Sequence, residues 1–92
     1  MKFDLFMYCT VGRREELESG LAGLNNDLYQ RMLNEISEIA QYADQHGWHG
    51  LGHPEHHLQI EGFETSNDLG LMASWIASAT QKLRIISCGF VS

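Results

Sequence analysis

Apolar positions recur along this chain with changing period, and the order of those periods sets the expected architecture. Between Lys2 and Cys9 they alternate, with Phe3, Leu5, Met7 and Cys9 on one side and Phe6 and Tyr8 on the other, which predicts a strand buried on both faces. After Asn26 or Asp27, either one suited to an N-cap, Leu28, Met32, Ile36, Ile39, Ala40 and Ala43 follow at close to helical spacing until Gly47 supplies a stop. Trp48 to His53 then reads as a short strand closed by Pro54, which lacks a ladder donor. Asn67 or Asp68 caps a second helical pattern of Leu69, Met72, Ala73, Ile76, Ala77 and Thr80, and Leu83 to Val91 is a β-branched, nearly continuous apolar run.

The order is therefore βαβαβ, an α/β class, with no repeat, low-complexity tract or linker to divide residues 1–92 into more than one unit. Two connections stand out. Thr10 to Asn25 and Pro54 to Asn67 are much longer than the usual strand-to-helix loop of about 2 to 6 residues. In parallel α/β proteins these loops gather at the carboxyl ends of the strands, where barrels and open sheets alike place their sites. Right-handed crossovers would put both helices on one side of the three strands and leave the other face bare. A (β/α)8 barrel takes about 250 residues, so the expectation is a partial domain, a βαβαβ piece that ends as its third strand finishes at Phe90, Val91 and Ser92, or else an oligomer through the bare face.

Charge narrows the partners. Twelve acidic against six basic residues give a net charge of −6, which repels phosphate backbones and anionic lipid. Nucleic acid and membrane are thus not expected. The longest stretch without Asp, Glu, Lys or Arg, Leu69 to Gln81, is shorter than the roughly 18 to 20 residues of a membrane helix. Asp4 interrupts what would be the core of a secretory signal, and two distant cysteines, Cys9 and Cys88, fit a reducing cytoplasm as small buried hydrophobes.

The five histidines all fall between His46 and His57, and three crowd the segment His53, Pro54, Glu55, His56, His57 where the second strand ends. Imidazole titrates near neutrality and a neighbouring carboxylate can orient it or take its proton, so the cluster is a candidate acid/base site. A solvated loop of idle histidines is the competing reading. Metal is another, through His46, His49, His53, Glu55 and His56, although the glycines and Pro54 exclude the helix that HExxH-type zinc spacings require. No serine stands in a GxSxG elbow, both cysteines lie in apolar strands, and neither GxGxxG nor GxxxxGK[ST] occurs. Arg13 and Arg14 pair with Glu15, Glu16 and Glu18 more readily than with an external anion, and Tyr42, Trp48 and Trp75 read as packing residues.

The opening Met1-Lys2-Phe3-Asp4-Leu5-Phe6, the segment Pro54-Glu55-His56-His57-Leu58 after a glycine-rich strand, and the close Leu83-Arg84-Ile85-Ile86-Ser87-Cys88-Gly89 together resemble the bacterial luciferase-like family. The resemblance implies the first three strands and two helices of a (β/α)8 TIM barrel in a flavin-dependent monooxygenase. Such an enzyme uses reduced FMN, supplied by a partner flavin reductase, and dioxygen to oxidise a small organic substrate such as an aldehyde. It further implies that His56 faces the reacting edge of the flavin as acid/base, that Glu55 and His57 support it by hydrogen bonding, and that Cys88 and Gly89 lie beneath the flavin with a non-prolyl cis peptide between them. The parent would be a cytoplasmic dimer, and these residues alone would be inactive. The family usually has an apolar residue at the position of Pro54 and an aromatic one at Leu58. A deazaflavin-dependent oxidoreductase of the same barrel family is the near alternative, and a non-enzymatic small α/β dimer with a histidine metal site is the distant one.

Overall fold

The computed structural model describes residues 1–88. Three parallel strands, β1 (Asp4–Phe6), β2 (Gly50–Pro54) and β3 (Arg84–Cys88), form one sheet in that order, with Leu5, Leu51 and Ile85 in register. A one-turn helix α1 (Arg14–Leu17) and a 3-10 turn (Ala22–Leu24) punctuate the first long loop, α2 (Asn26–Gln45) joins β1 to β2, and α3 (Leu69–Ser78) joins β2 to β3. The βαβαβ order follows the hydrophobic pattern.

Both long helices cover the same face. Met32, Ile36, Ala40 and Ala43 of α2 and Met72 and Ile76 of α3 close over Leu51 in one buried cluster, with Leu5 and Ile85 packed against it. The Trp75 indole N–H donates to the Leu33 carbonyl at 2.8 Å and ties α3 to α2. At the far end, Asp44 accepts from the backbone N–H groups of Gln81, Lys82 and Leu83 at 2.8, 2.9 and 2.8 Å. These three donors hold its carboxyl below the usual range, and they clamp the short turn before β3 to the last turn of α2.

The opposite face of the sheet is bare. Phe6, Tyr8 and Ile86 keep 51%, 53% and 38% of their surface in solvent, so the expected burial of the first strand on both sides does not occur within residues 1–88. Cys88 is exposed on this face too, contrary to its reading as a buried hydrophobe, because nothing among the described residues covers it. The middle strand offers little side chain here. A Cβ on Gly50 would stand 2.8 Å from Asp4 Oδ1 and 3.0 Å from Ile86 Cδ1, so the flanking strands lean across the glycines.

Boundaries shift where tertiary bonds compete with pattern. β1 is shorter than the apolar stretch from Lys2 to Cys9 because the Cys9 carbonyl is taken by the N–H and the hydroxyl of Thr65. β2 begins at Gly50, two residues later than expected, and runs one residue further, through Pro54, which sits opposite Cys88. The helix stop is as expected, with Gly47 at φ 78°, and the first cap is Asn25, whose side chain accepts from Leu28 N–H. Gly89 and the expected extension of the third strand to Val91 lie outside the described residues.

Candidate active site

Loop length now acquires a structural meaning, because the loop after β2 is laid directly on the loop after β1. Val11 N–H donates to the Gly62 carbonyl at 3.0 Å, Gly23 N–H to Ile60 at 2.7 Å, the Thr10 hydroxyl to Phe63 at 2.7 Å, and Thr65 N–H to Cys9 at 2.9 Å. Gly62 makes the approach possible with φ 93° and with no room for a Cβ, which would meet Val11 Cγ2 at 2.4 Å and Gly23 N at 2.9 Å. The chain then folds back, and His56 N–H donates to the Ser66 carbonyl at 3.0 Å. Residues eight apart in sequence are thereby brought face to face.

Two histidine–carboxylate pairs result. His56 Nε2 lies 2.6 Å from Glu64 Oε2, with the carboxylate off the N–H axis so that the contact is electrostatic rather than a directed hydrogen bond. The Gln59 amide nitrogen lies 3.3 Å from His56 Nδ1. His57 Nε2 lies 2.9 Å from the Asn67 carbonyl and 3.3 Å from Glu55 Oε2, so this nitrogen carries the proton and donates. The other oxygen of Glu55 accepts from Leu69 N–H at 3.0 Å, at the N-terminus of α3, where a carboxylate is favoured by the exposed N–H groups.

Burial separates the two partners of each pair. Glu55 and Glu64 are buried while both imidazoles remain partly in solvent. Desolvation raises the Glu64 carboxyl above its ordinary value, and the His56 ring draws it back down. A half-exposed imidazole backed by a buried carboxylate can accept a proton from one side while being held from the other, the geometry of a general acid/base. Directly after the pair, Leu58 takes φ 63°, the only positive φ at a non-glycine residue among the described residues. Such strain costs of order 1 to 3 kcal/mol and collects at functional sites.

His53 does not join them. It points to the helix side of β2, in register with Ser87 of β3, fully buried, with neither ring nitrogen in a well-aligned hydrogen bond. Burial lowers its basicity, an effect partly offset by the Pro54 backbone. Removing two buried unpaired nitrogens at similar volume is favourable, so His53→Leu is expected to raise stability by roughly 1 kcal/mol at neutral pH. The sign of the pH effect follows from the lowered basicity. Below the ordinary value of 6.5 the unfolded chain takes up a proton that the folded one resists, so wild-type stability falls as pH drops through that range. The variant should lose that part of the slope in urea denaturation at pH 5 and 7; a lower midpoint at both pH values would refute the buried, unpaired assignment.

The remaining candidates are distributed away from the pairs. His46 Nδ1 donates to the Tyr42 carbonyl at 2.8 Å with its ring stacked on that of Tyr42, and His49 pairs with Asp4 at 2.9 Å, both toward the amino ends of the strands. Among the described residues no group of three or more His, Cys, Asp or Glu side chains is disposed to hold a metal ion. Burial pushes the Cys9 thiol up to about 11, which leaves it protonated and unreactive. Arg31 reaches Glu16 at 2.7 Å, and Arg14 lies 3.9 Å from Glu18, so this basic segment satisfies itself.

Glu64 and Gln59, the groups that hold His56, carry no periodic signal in the sequence. The sole local hint is Gly62, a residue that permits the tight return. A cavity of about 230 Å³ opens beside them, lined by Leu24, Tyr29, Leu58, Gln59 and Thr65. A larger depression of about 480 Å³ around Asp44 and Gln81 lies at the opposite ends of the strands and contains no acid/base pair of this kind. No described helix is long and apolar enough to cross a membrane. Set against family models, curated proteins and solved structures, the chain matches none.

Proposed function

We propose that this chain is the βαβαβ opening of a (β/α)8 barrel of the luciferase-like type, and that His56 is the acid/base of a flavin-dependent monooxygenase. The observation that carries the reading is the His56–Glu64 contact of 2.6 Å at the carboxyl end of a parallel strand. Parallel sheets are ordinarily covered on both faces. The bare face here, with Phe6, Tyr8, Ile86 and Cys88 in solvent, is what the inside of an unclosed barrel would present.

The residues fit part of a flavin site. His56 suits a proton donor and acceptor beside a redox-active ring, and the 230 Å³ cavity next to Gln59 admits a small apolar group. The flavin's phosphate would have to be held by residues beyond these strands, as no glycine-rich phosphate cradle occurs here. When bound, reduced FMN would supply the electrons for activating dioxygen and oxidising a small organic substrate such as an aldehyde. His56 holds or returns the proton, Glu64 and Gln59 fix its ring, and Glu55 ties His57 and the start of α3 to the end of β2.

The test is oxygen consumption by the whole protein with a flavin reductase and reduced FMN, run beside a reduced deazaflavin. Aldehyde-dependent uptake with FMN is the expected result. Turnover with the deazaflavin alone would replace the monooxygenase by a deazaflavin-dependent oxidoreductase, and turnover with neither would remove the flavoenzyme reading.

A further inference from the structure

The imidazole of His56 is approached at its two nitrogens by groups of opposite character. At Nε2 stands the Glu64 carboxylate, 2.6 Å away, which favours a proton on that nitrogen. At Nδ1 stands the Gln59 amide nitrogen, 3.3 Å away, a donor that needs a lone pair to receive it. Each contact alone would select a tautomer, and both select the same one. We propose that Glu64 is a positioning residue that keeps the proton of neutral His56 on Nε2, so that Nδ1 is the nitrogen that takes up and returns a proton.

The loop architecture makes Glu64 a rigid partner. Its neighbours Phe63 and Thr65 are bonded through Thr10 and Cys9 to the loop after β1, and its carboxylate is 5% exposed. A buried carboxylate is tolerated where a charge or a polar hydrogen meets it, and the group that meets Glu64 is the His56 ring. Gln59 is placed differently, since it lines the 230 Å³ cavity. A ligand seated there gains Nδ1 by displacing a single amide, while the hold on Nε2 stays in place. Glu55 has a separate task at His57 and the start of α3.

The catalytic use of Nδ1 rests on the flavoenzyme reading; the tautomer does not. The experiment is therefore a ring-nitrogen NMR measurement on the whole protein labelled at histidine, at a pH where His56 is neutral. The expected spectrum shows a protonated Nε2 and a lone-pair Nδ1 for His56, and Glu64→Gln lowers the ratio of the two tautomers about tenfold, the loss of one charge-assisted contact, while His57 keeps its shifts. A wild-type ring protonated at Nδ1 overturns the proposal, whether or not the variant folds. So does a ratio that Glu64→Gln leaves unchanged. In turnover, Glu64→Gln lowers kcat about tenfold with KM for the organic substrate unaltered. Full activity in Glu64→Gln beside an inactive His56→Ala overturns the positioning role and leaves the flavoenzyme standing. The expected tautomer in a protein that turns over no flavin supports the hold of Glu64 and overturns the enzyme reading instead.

Discussion

Replacing His56 by alanine in the whole protein is expected to lower kcat by about 10²- to 10⁴-fold, the usual range for a lost general acid/base. The physical ground is that His56 is the ring that combines partial solvent exposure with a buried carboxylate at one nitrogen and a displaceable amide at the other. The loop is held by backbone bonds from Val11, Gly23, Thr65 and His56 N–H, so the variant should keep its fold, although the buried Glu64 carboxylate loses the ring that meets it and the unfolding temperature should drop. KM for the organic substrate should change much less than kcat, because the interaction removed is one made in the transition state. His57→Ala provides the contrast. His57 is bonded to Asn67, in the approach to α3, and to Glu55, which follows β2 and accepts from Leu69 N–H at the start of that helix, so its loss should act on stability more than on turnover. Equal turnover in wild type and His56→Ala would exclude the catalytic assignment.

What the sequence disclosed and what it hid divide along local and non-local lines. α2 is legible because its apolar residues keep helical period and Gly47 ends it with a positive φ, each decided within a few residues, although its cap is Asn25 rather than the expected Asn26 or Asp27. The parallel order and the single covered face are legible because helical crossovers leave few alternatives. β1 is misjudged in length, since the Cys9 carbonyl bonds to Thr65, 56 residues away, and no alternation pattern records a rival partner at that distance. Similarly, the segment from Thr10 to Asn25 reads as bare loop, yet Glu16 accepts from Arg13 N–H at 2.8 Å and meets Arg31 at 2.7 Å, which stabilises a single helical turn. The histidine-rich segment announces itself by composition alone. Which histidine serves is another matter: His53 is buried within β2 while His56 lies in the loop after it, and the partner of His56 comes from the far arm of that loop, whose closure depends on Gly62.

That dependence gives the largest expected effect on stability. Gly62→Ala should destabilise the fold by about 2 to 5 kcal/mol, summing roughly 1 to 2 for a left-handed backbone with a Cβ and 1 to 3 for overpacking. The added methyl would stand 2.4 Å from Val11 Cγ2 and 2.9 Å from Gly23 N. Val11 is itself buried and cannot swing away without leaving a void, and Gly23 N is backbone already donating to Ile60. Gly20 supplies the control. It has a similar φ of 79° but nothing within 4 Å of a built Cβ, so Gly20→Ala should cost only the backbone part, about 1 to 2 kcal/mol. Urea midpoints of the two variants, compared with wild type, therefore separate strain from contact. The functional consequence runs through the same bonds: forcing Gly62 away from Val11 loosens Phe63 and Thr65 from Thr10 and Cys9, withdraws Glu64 from His56, and should scramble the His56 tautomer even where the variant stays folded. Equal midpoints for Gly62→Ala and Gly20→Ala would mean that the two loops do not meet as closely as the Val11 and Gly23 contacts require, and the origin of the His56–Glu64 pair would have to be sought elsewhere in the fold.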